Sequence, residues 1–204
     1  MTEFYINSSI VTLRPMTRDD VPLVYRLRHS MRGQWLNPTS LDIQEQYRYF
    51  ENYQIRYSEG HEIYFVIQER QTSRDVGVTR VTNLRTSGRF GWEGLIIDSS
   101  AVPGAAIDTT LTVYSFGFLG LSKEVCGPWK VLKRHSRVNA LHSRMGIADC
   151  VGEESDFYVY EVYSNRFISS IAKYNRQGFA NIDWPLDFGS FTSACSPKCR
   201  IESH

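Results

Sequence analysis

The chain has 204 residues, a net charge of +1, 42% hydrophobic content and 13% aromatic content. That length holds one domain with a sizeable core, the composition excludes a disordered chain, and the near-neutral charge argues against a partner chosen by bulk electrostatics, so no nucleic-acid partner is expected. No apolar run is long enough to span a membrane, and Met1-Thr2-Glu3-Phe4-Tyr5 lacks the basic-then-apolar order of a signal peptide, so a cytoplasmic location away from membranes is expected.

Residues 10–14 alternate and stop at Pro15, which predicts a strand. Thr17 and Asp20 resemble a capping box, whereas a helix starting at Asp20 puts Pro22 in its first turn, where a missing N–H is tolerated. Either start leads to a helix ending near His29 with Val21, Val24 and Leu27 on one buried face. Residues 31–38 break the periodicity and carry Trp35. A second helix follows, with Thr39 or Ser40 as its cap and Ile43, Tyr47, Phe50 and Ile55 towards one side. Strands at 62–68 and 76–82 flank a turn at 71–75, and 90–97 adds a third consecutive antiparallel strand.

The rest is organised around 92–120. The strand runs into a small-residue loop, 98–106, that opens a helix predicted over 107–118. A helix N-terminus leaves N–H groups free and favours an anion, and Gly104, Ala105 and Ala106 allow close approach, so the loop is a candidate phosphate site. No lysine follows the glycine, which excludes a Walker A, and one glycine is no dinucleotide fingerprint. An ordinary strand-to-helix turn has the same composition.

Further on come a strand at 129–133, a short helix capped by Ser136 and ended by Gly146, a strand at 157–163, and a helix capped by Ser164 or Asn165 and reaching Tyr174. Residues 1–176 are expected to form one domain, and 177–204, rich in Gly, Pro and Ser, a docked or loose tail. Cys126, Cys150, Cys195 and Cys199 are too scattered for a disulfide framework. Cys195, Cys199 and His204 lack the usual four-ligand spacing, so reduced thiols and no metal are expected.

This order of elements resembles the Gcn5-related N-acetyltransferases (GNAT). Their Gln/Arg-x-x-Gly-x-Gly/Ala loop falls on Ala101-Val102-Pro103-Gly104-Ala105-Ala106, with Ala101 where Gln or Arg is usual. Downstream, His135 takes the place of a family Asn, His142 that of a Tyr, and Met145-Gly146-Ile147 that of Leu-Gly-Phe. The resemblance covers about residues 10 to 163. It implies an α/β (α+β) fold, a single mixed and mostly antiparallel central sheet flanked by helices on both faces. Leu27-Arg28-His29, the Ser40 to Gln46 string and Leu141-His142-Ser143-Arg144-Met145-Gly146 are similar to the branch acting on ribosomal proteins and nucleotide-linked amino sugars.

The activity implied is transfer from acetyl-CoA to a primary amine by direct attack on the thioester, the amine being that of a nucleotide-linked amino sugar used in surface polysaccharide synthesis. In that register Leu95, Ile96 and Ile97 pair with the pantetheine arm, the N–H groups of Val102, Gly104, Ala105 and Ala106 hold the pyrophosphate, and His135 and Asn139 complete the cofactor site. Glu93, just before the bulged stretch of an otherwise apolar strand, is the candidate base, with burial expected to tune it; the alternative is a pair with Arg80 across the sheet. His142 is expected to face the sulfur and donate from a protonated ring, the alternative being an exposed surface histidine. Arg28, His29, Trp35 and Tyr47 are the expected acceptor pocket.

Lys130, Lys133, Arg134, Arg137 and Arg144 form a basic cluster, read as a solvated face, contacts to the cofactor's 3′-phosphate, or a nucleic-acid surface. Two other functions stay open. One is acetylation of a protein N-terminus or ribosomal protein. The other is a degenerate, non-catalytic CoA-binding protein, because Ala101, His135 and Ile147 depart from the pattern and Pro103 removes one N–H. Edge strands leave a homodimer open.

Overall fold

The computed structural model describes residues 4–184. Eight strands, β1 (Ile6–Asn7), β2 (Val11–Pro15), β3 (Ile63–Glu69), β4 (Asp75–Thr82), β5 (Arg89–Ile97), β6 (Val125–Leu132), β7 (Ala148–Glu154) and β8 (Phe157–Tyr163), make one sheet in the order β1-β2-β3-β4-β5-β6-β8-β7. Every neighbouring pair is antiparallel except β5 and β6. Five helices accompany it: α1 (Val21–Arg28), α2 (Ile43–Ser58), α3 (Ala105–Ser115), α4 (Ser136–Met145) and α5 (Ser164–Arg176). Successive residues of a strand point to opposite faces, and β3 shows what covers each. Tyr64 meets Tyr53 of α2 edge-on, while Phe65 meets Phe116 just beyond α3.

Both candidate starts of α1 are used. The Asp20 carboxylate accepts from the Thr17 N–H at 2.8 Å and closes a short 3-10 turn over Arg18–Asp20, after which Pro22 sits in the first turn of α1. For α2 the cap is Asp42, whose side chain accepts from the Gln44 N–H at 2.9 Å, not Thr39 or Ser40. Ser40 is engaged one step earlier, its hydroxyl accepting from the Asp42 N–H at 3.1 Å. The buried stripe of α2 is Phe50, Tyr53 and Tyr57, and Ile55 is 58% exposed. Five residues beyond Phe50 is roughly 140° around a helix, too far to share its face.

Helix α3 begins two residues earlier than expected and ends in a π-helical turn over Phe116–Gly120. Its Asp108 is buried and collects four donors, the Ser8 hydroxyl and the N–H groups of Ile10, Val11 and Ala180, at 2.7–3.0 Å. That one carboxylate ties the entry to β2 and the segment after α5 to the helix that carries the candidate phosphate loop. The first residues of the expected tail are docked: Asn181 donates to Ser9 and Asp183 bridges Asn7. The rest of the tail, with Cys195, Cys199 and His204, lies outside the described residues. Cys126 is a buried free thiol and Cys150 an exposed one. No described helix is long and apolar enough to cross a membrane.

Candidate active site

The sheet is barely joined at its middle. Strands β5 and β6 pair only at Arg89 with Val125 and Phe90 with Cys126, then diverge. On its other edge β5 carries a bulge. Val78 of β4 faces Ile96 and Arg80 faces Glu93, so Gly94 and Leu95 together stand opposite Thr79. Gly94 has φ +68°, a conformation that strains any residue with a side chain. The bulge turns Glu93 and Gly94 to the surface, and the β6-facing backbone edge of Leu95, Ile96 and Ile97 has no strand beside it.

Glu93 is not buried as expected; its side chain is 55% exposed. The bulge is the reason, since it lifts this part of the strand out of the sheet. Arg80 Nη1 lies 3.3 Å from Glu93 Oε2, and the Thr82 hydroxyl donates to Oε1 at 3.3 Å. The carboxylate opens on a cavity of about 410 Å³ lined in part by Arg28, Glu45, Tyr49, Tyr64, Arg80 and Gly94. Arg28 Nη2 donates to the Asn37 carbonyl at 2.8 Å, but its Nε is buried with no hydrogen-bond partner among the described residues.

Of the expected acceptor residues, only Arg28 lines this cavity. His29 packs on Tyr25 with ring centroids 4.3 Å apart, on the exposed side of α1. Tyr47 lies under the Arg18 guanidinium, 4.6 Å from it. Two residues further, roughly 200° around the helix, Tyr49 takes the place expected of Tyr47. Tyr64 was not singled out from sequence, whereas Arg80 was expected only as a partner of Glu93, which it is; the two face each other across β3 and β4. The register of that hairpin was the available signal.

The loop before α3 has Gly104 at the N-cap with φ +90°. A Cβ there would stand 2.9 Å from Ile10 Cδ1 and from Phe179 Cε1. The Val102 N–H, expected for pyrophosphate, already donates to Glu69 at 2.9 Å, and the Ala105 N–H turns back to the Val102 carbonyl at 3.2 Å. Pro103 has none, so Gly104 and Ala106 are the donors left in the run. The loop is braced by Arg74, which donates to the Ser100 carbonyl, and by Arg26 on Asp98. The Ser100 N–H and Arg26 together hold the Asp98 carboxyl well below the usual carboxylate range. A cleft of about 490 Å³ separates Ile107 from Ser136, Arg137, Ala140 and Arg144. Within the basic cluster, Lys130 and Lys133 pair with Glu154 and Glu153, while Arg137 and Arg144 border this cleft.

His142 is 3% exposed and sits against Trp92, Trp129 and Tyr160, with centroids 6.4, 5.5 and 5.0 Å away. Burial pushes its pKa down to about 4, so the ring is neutral at neutral pH. This corrects both the protonated ring and the exposed surface histidine. Because Trp92 and Glu93 alternate along β5, His142 and Glu93 flank the split from opposite faces.

The Asn139 amide is already engaged, donating to the carbonyls of Leu132 and Lys133 at 3.0 and 3.1 Å and accepting from Tyr160 at 3.1 Å. It holds α4 to the end of β6. The His135 ring packs tilted against Trp35, centroids 4.3 Å apart, and Leu36 stands 3.8 Å from the Cβ position of Gly94. The loop after α1 therefore crosses the split from β5 to the start of α4, joining one residue expected on the acceptor side to one expected on the cofactor side.

Residues 11–147 match the model of the acetyltransferase (GNAT) domain. Among solved structures, apo FdhC, a nucleotide-linked sugar GNAT, superposes with a TM-score of 0.75 at 25% identity, covering 86% of this chain and 98% of that one. Spermidine N-acetyltransferase from Vibrio cholerae in complex with CoA and spermine gives 0.63 at 16% identity, over 78% of this chain and 98% of that one, a likeness of fold. No curated protein matches the chain.

Proposed function

The chain belongs to the acetyltransferase (GNAT) family and is an N-acetyltransferase; on that premise we propose that it acetylates the amine of a nucleotide-linked amino sugar, with acetyl-CoA as donor. The observation that carries the acceptor is Arg28. A guanidinium that lines an aromatic cavity and has no carboxylate paired with it among the described residues calls for an anion in the molecule that fills it. The phosphates of a nucleotide sugar supply one, and the partly exposed Tyr49 offers a flat surface for a ring. A polyamine would bring more positive charge to Arg28 and Arg80. The likeness to FdhC supports the same acceptor class.

In this reading the pantetheine arm lies along Leu95, Ile96 and Ile97, and the N–H groups of Gly104 and Ala106 receive the pyrophosphate at the start of α3, with Ala105 allowing close approach. Arg137 and Arg144 border the space for the nucleotide end, and His135 under Trp35 closes the side of the channel. Acetyl-CoA supplies the activated acyl group. Glu93 takes one proton from the acceptor ammonium, directly or through a water, and the neutral amine attacks the thioester carbonyl; as the C–N bond forms and the C–S bond breaks, the second nitrogen proton passes to the departing sulfur, which leaves as the CoA thiol. An N–H beside the bulge, at Leu95, polarises that carbonyl. His142 donates an N–H to the departing sulfur from its neutral ring, the form its burial dictates.

Calorimetric titration with acetyl-CoA, followed by acetylation assays with a nucleotide-linked amino sugar, spermine and a ribosomal-protein N-terminal peptide, tests the reading. Saturable binding and turnover of the amino sugar alone are expected. Turnover of spermine or the peptide with the sugar refused overturns the acceptor class. Absence of binding at millimolar acetyl-CoA overturns the donor.

A further inference from the structure

We propose that Arg80 and the buried Glu62 are positioning residues for Glu93, one guanidinium shared between two carboxylates fixing where Glu93 points and how readily it takes a proton. The inference rests on the reading of Glu93 as base.

Glu62 lies just before β3 with its side chain 4% exposed. It accepts from Arg56 Nε of α2 at 2.9 Å and from Arg80 Nε of β4 at 3.1 Å. Arg80 uses Nε and Nη2 on Glu62 and keeps Nη1 for Glu93. That division needs the rigid fork of a guanidinium, since an ammonium has a single nitrogen. Burial opposes charge on Arg80, but Tyr49, Glu62 and Glu93 outweigh it and hold the group above its usual range, a standing cation. The charged and titratable groups around Glu93 are Arg28 from α1, Glu45 and Tyr49 from α2, Tyr64 from β3 and Arg80 from β4. Of these, Arg80 is the one in ion-pair contact with it among the described residues.

Two substitutions then act with opposite sign. Arg80→Met removes the cation, and the Glu93 carboxylate becomes easier to protonate. Glu62→Gln removes the competing anion, so the Arg80 charge falls more fully on Glu93, which becomes harder to protonate. A purely structural role for either residue has no reason to produce opposed shifts.

The direct readout is carbon-13 NMR of the full chain labelled at glutamate carboxyls, with the Glu93 signal identified by its loss in Glu93→Gln. The order expected of the Glu93 signal is Arg80→Met titrating at higher pH than wild type and Glu62→Gln at lower pH. Arg80→Lys, which retains charge and guards against an unfolded Met variant, shifts less than Met. The acid limb of kcat/KM, measured with acetyl-CoA and a nucleotide-linked amino sugar, follows the same order. An unmoved midpoint, or shifts of one sign, with activity still lost in Glu93→Gln overturns the positioning inference alone. Opposed midpoints with an unmoved acid limb overturn the base reading, and the positioning role with it.

Discussion

The two halves of the sheet are built to different standards. From β2 to β5 every contact is a continuous antiparallel ladder broken only by bulges, and nearly all of β3 and β4 is buried. From β6 to β7 the strands are half solvated, and edge strand β7 has no fully buried residue. Two parallel pairs hold the halves together. The site occupies the place where they stop agreeing. The well-packed half supplies fixed groups, Glu93 on its bulge and Gly104 on its loop. The looser half supplies the other wall of the split, with His142 and the arginines of α4.

If that division is right, the largest loss comes from the packed half. Glu93→Gln should lower kcat by roughly 10²–10⁴-fold, the range of a general base, with an unchanged far-ultraviolet spectrum. A variant within threefold of wild type would move the base elsewhere.

The looser half should reveal itself through pH. In the unfolded chain His142 titrates near its ordinary value of roughly 6.5, whereas folded it titrates at about 4. As pH falls the unfolded state therefore takes up the proton first. The stability this neutral ring contributes is whole above roughly pH 6.5 and drains away towards pH 4, by about 3 kcal/mol. Urea unfolding of wild type and His142→Gln across that window checks it, and parallel pH slopes would show that the ring does not titrate low.

Smaller effects sharpen the boundary between acceptor and donor sides. Arg28→Met should raise KM for a nucleotide-linked amino sugar by about tenfold, the scale of one charge-assisted hydrogen bond, and leave KM for acetyl-CoA alone. Equal changes in both would mean that the cavity does not separate the substrates. Ala106→Asp should weaken acetyl-CoA by about tenfold in calorimetry while the melting temperature holds or rises, because a carboxylate suits a helix N-terminus but repels a phosphate. Gly104→Trp is the less informative variant, since Ile10 and Phe179 leave its side chain no room.

Much of the packed half was legible in the chain. Apolar runs on either side of a turn marked β3 to β5, and small residues after an apolar strand marked the loop of Gly104. The cavity was not, because it is a product of register. Tyr64 and Arg80 meet only once the hairpin is paired, and Tyr49 replaces Tyr47 only once the rotation of α2 is set by Phe50, Tyr53 and Tyr57. The burial of His142 was hidden for a similar reason, its neighbours Trp92, Trp129 and Tyr160 coming from three separate strands. Strand β7 has no clear alternation to read, being exposed on much of both sides. Asp108 looks like an acid that merely favours a helix start, and nothing local indicates donors 72 to 100 residues away.

That carboxylate also sets a timetable. Three of its partners, Ser8, Ile10 and Val11, are made before it, but the last, Ala180, is joined to the chain 72 residues later. At roughly 5–20 residues per second of synthesis, several seconds pass in which α3 carries a buried acid short of one donor. The candidate phosphate loop is thus anchored in full only as the ribosome nears the end of the domain.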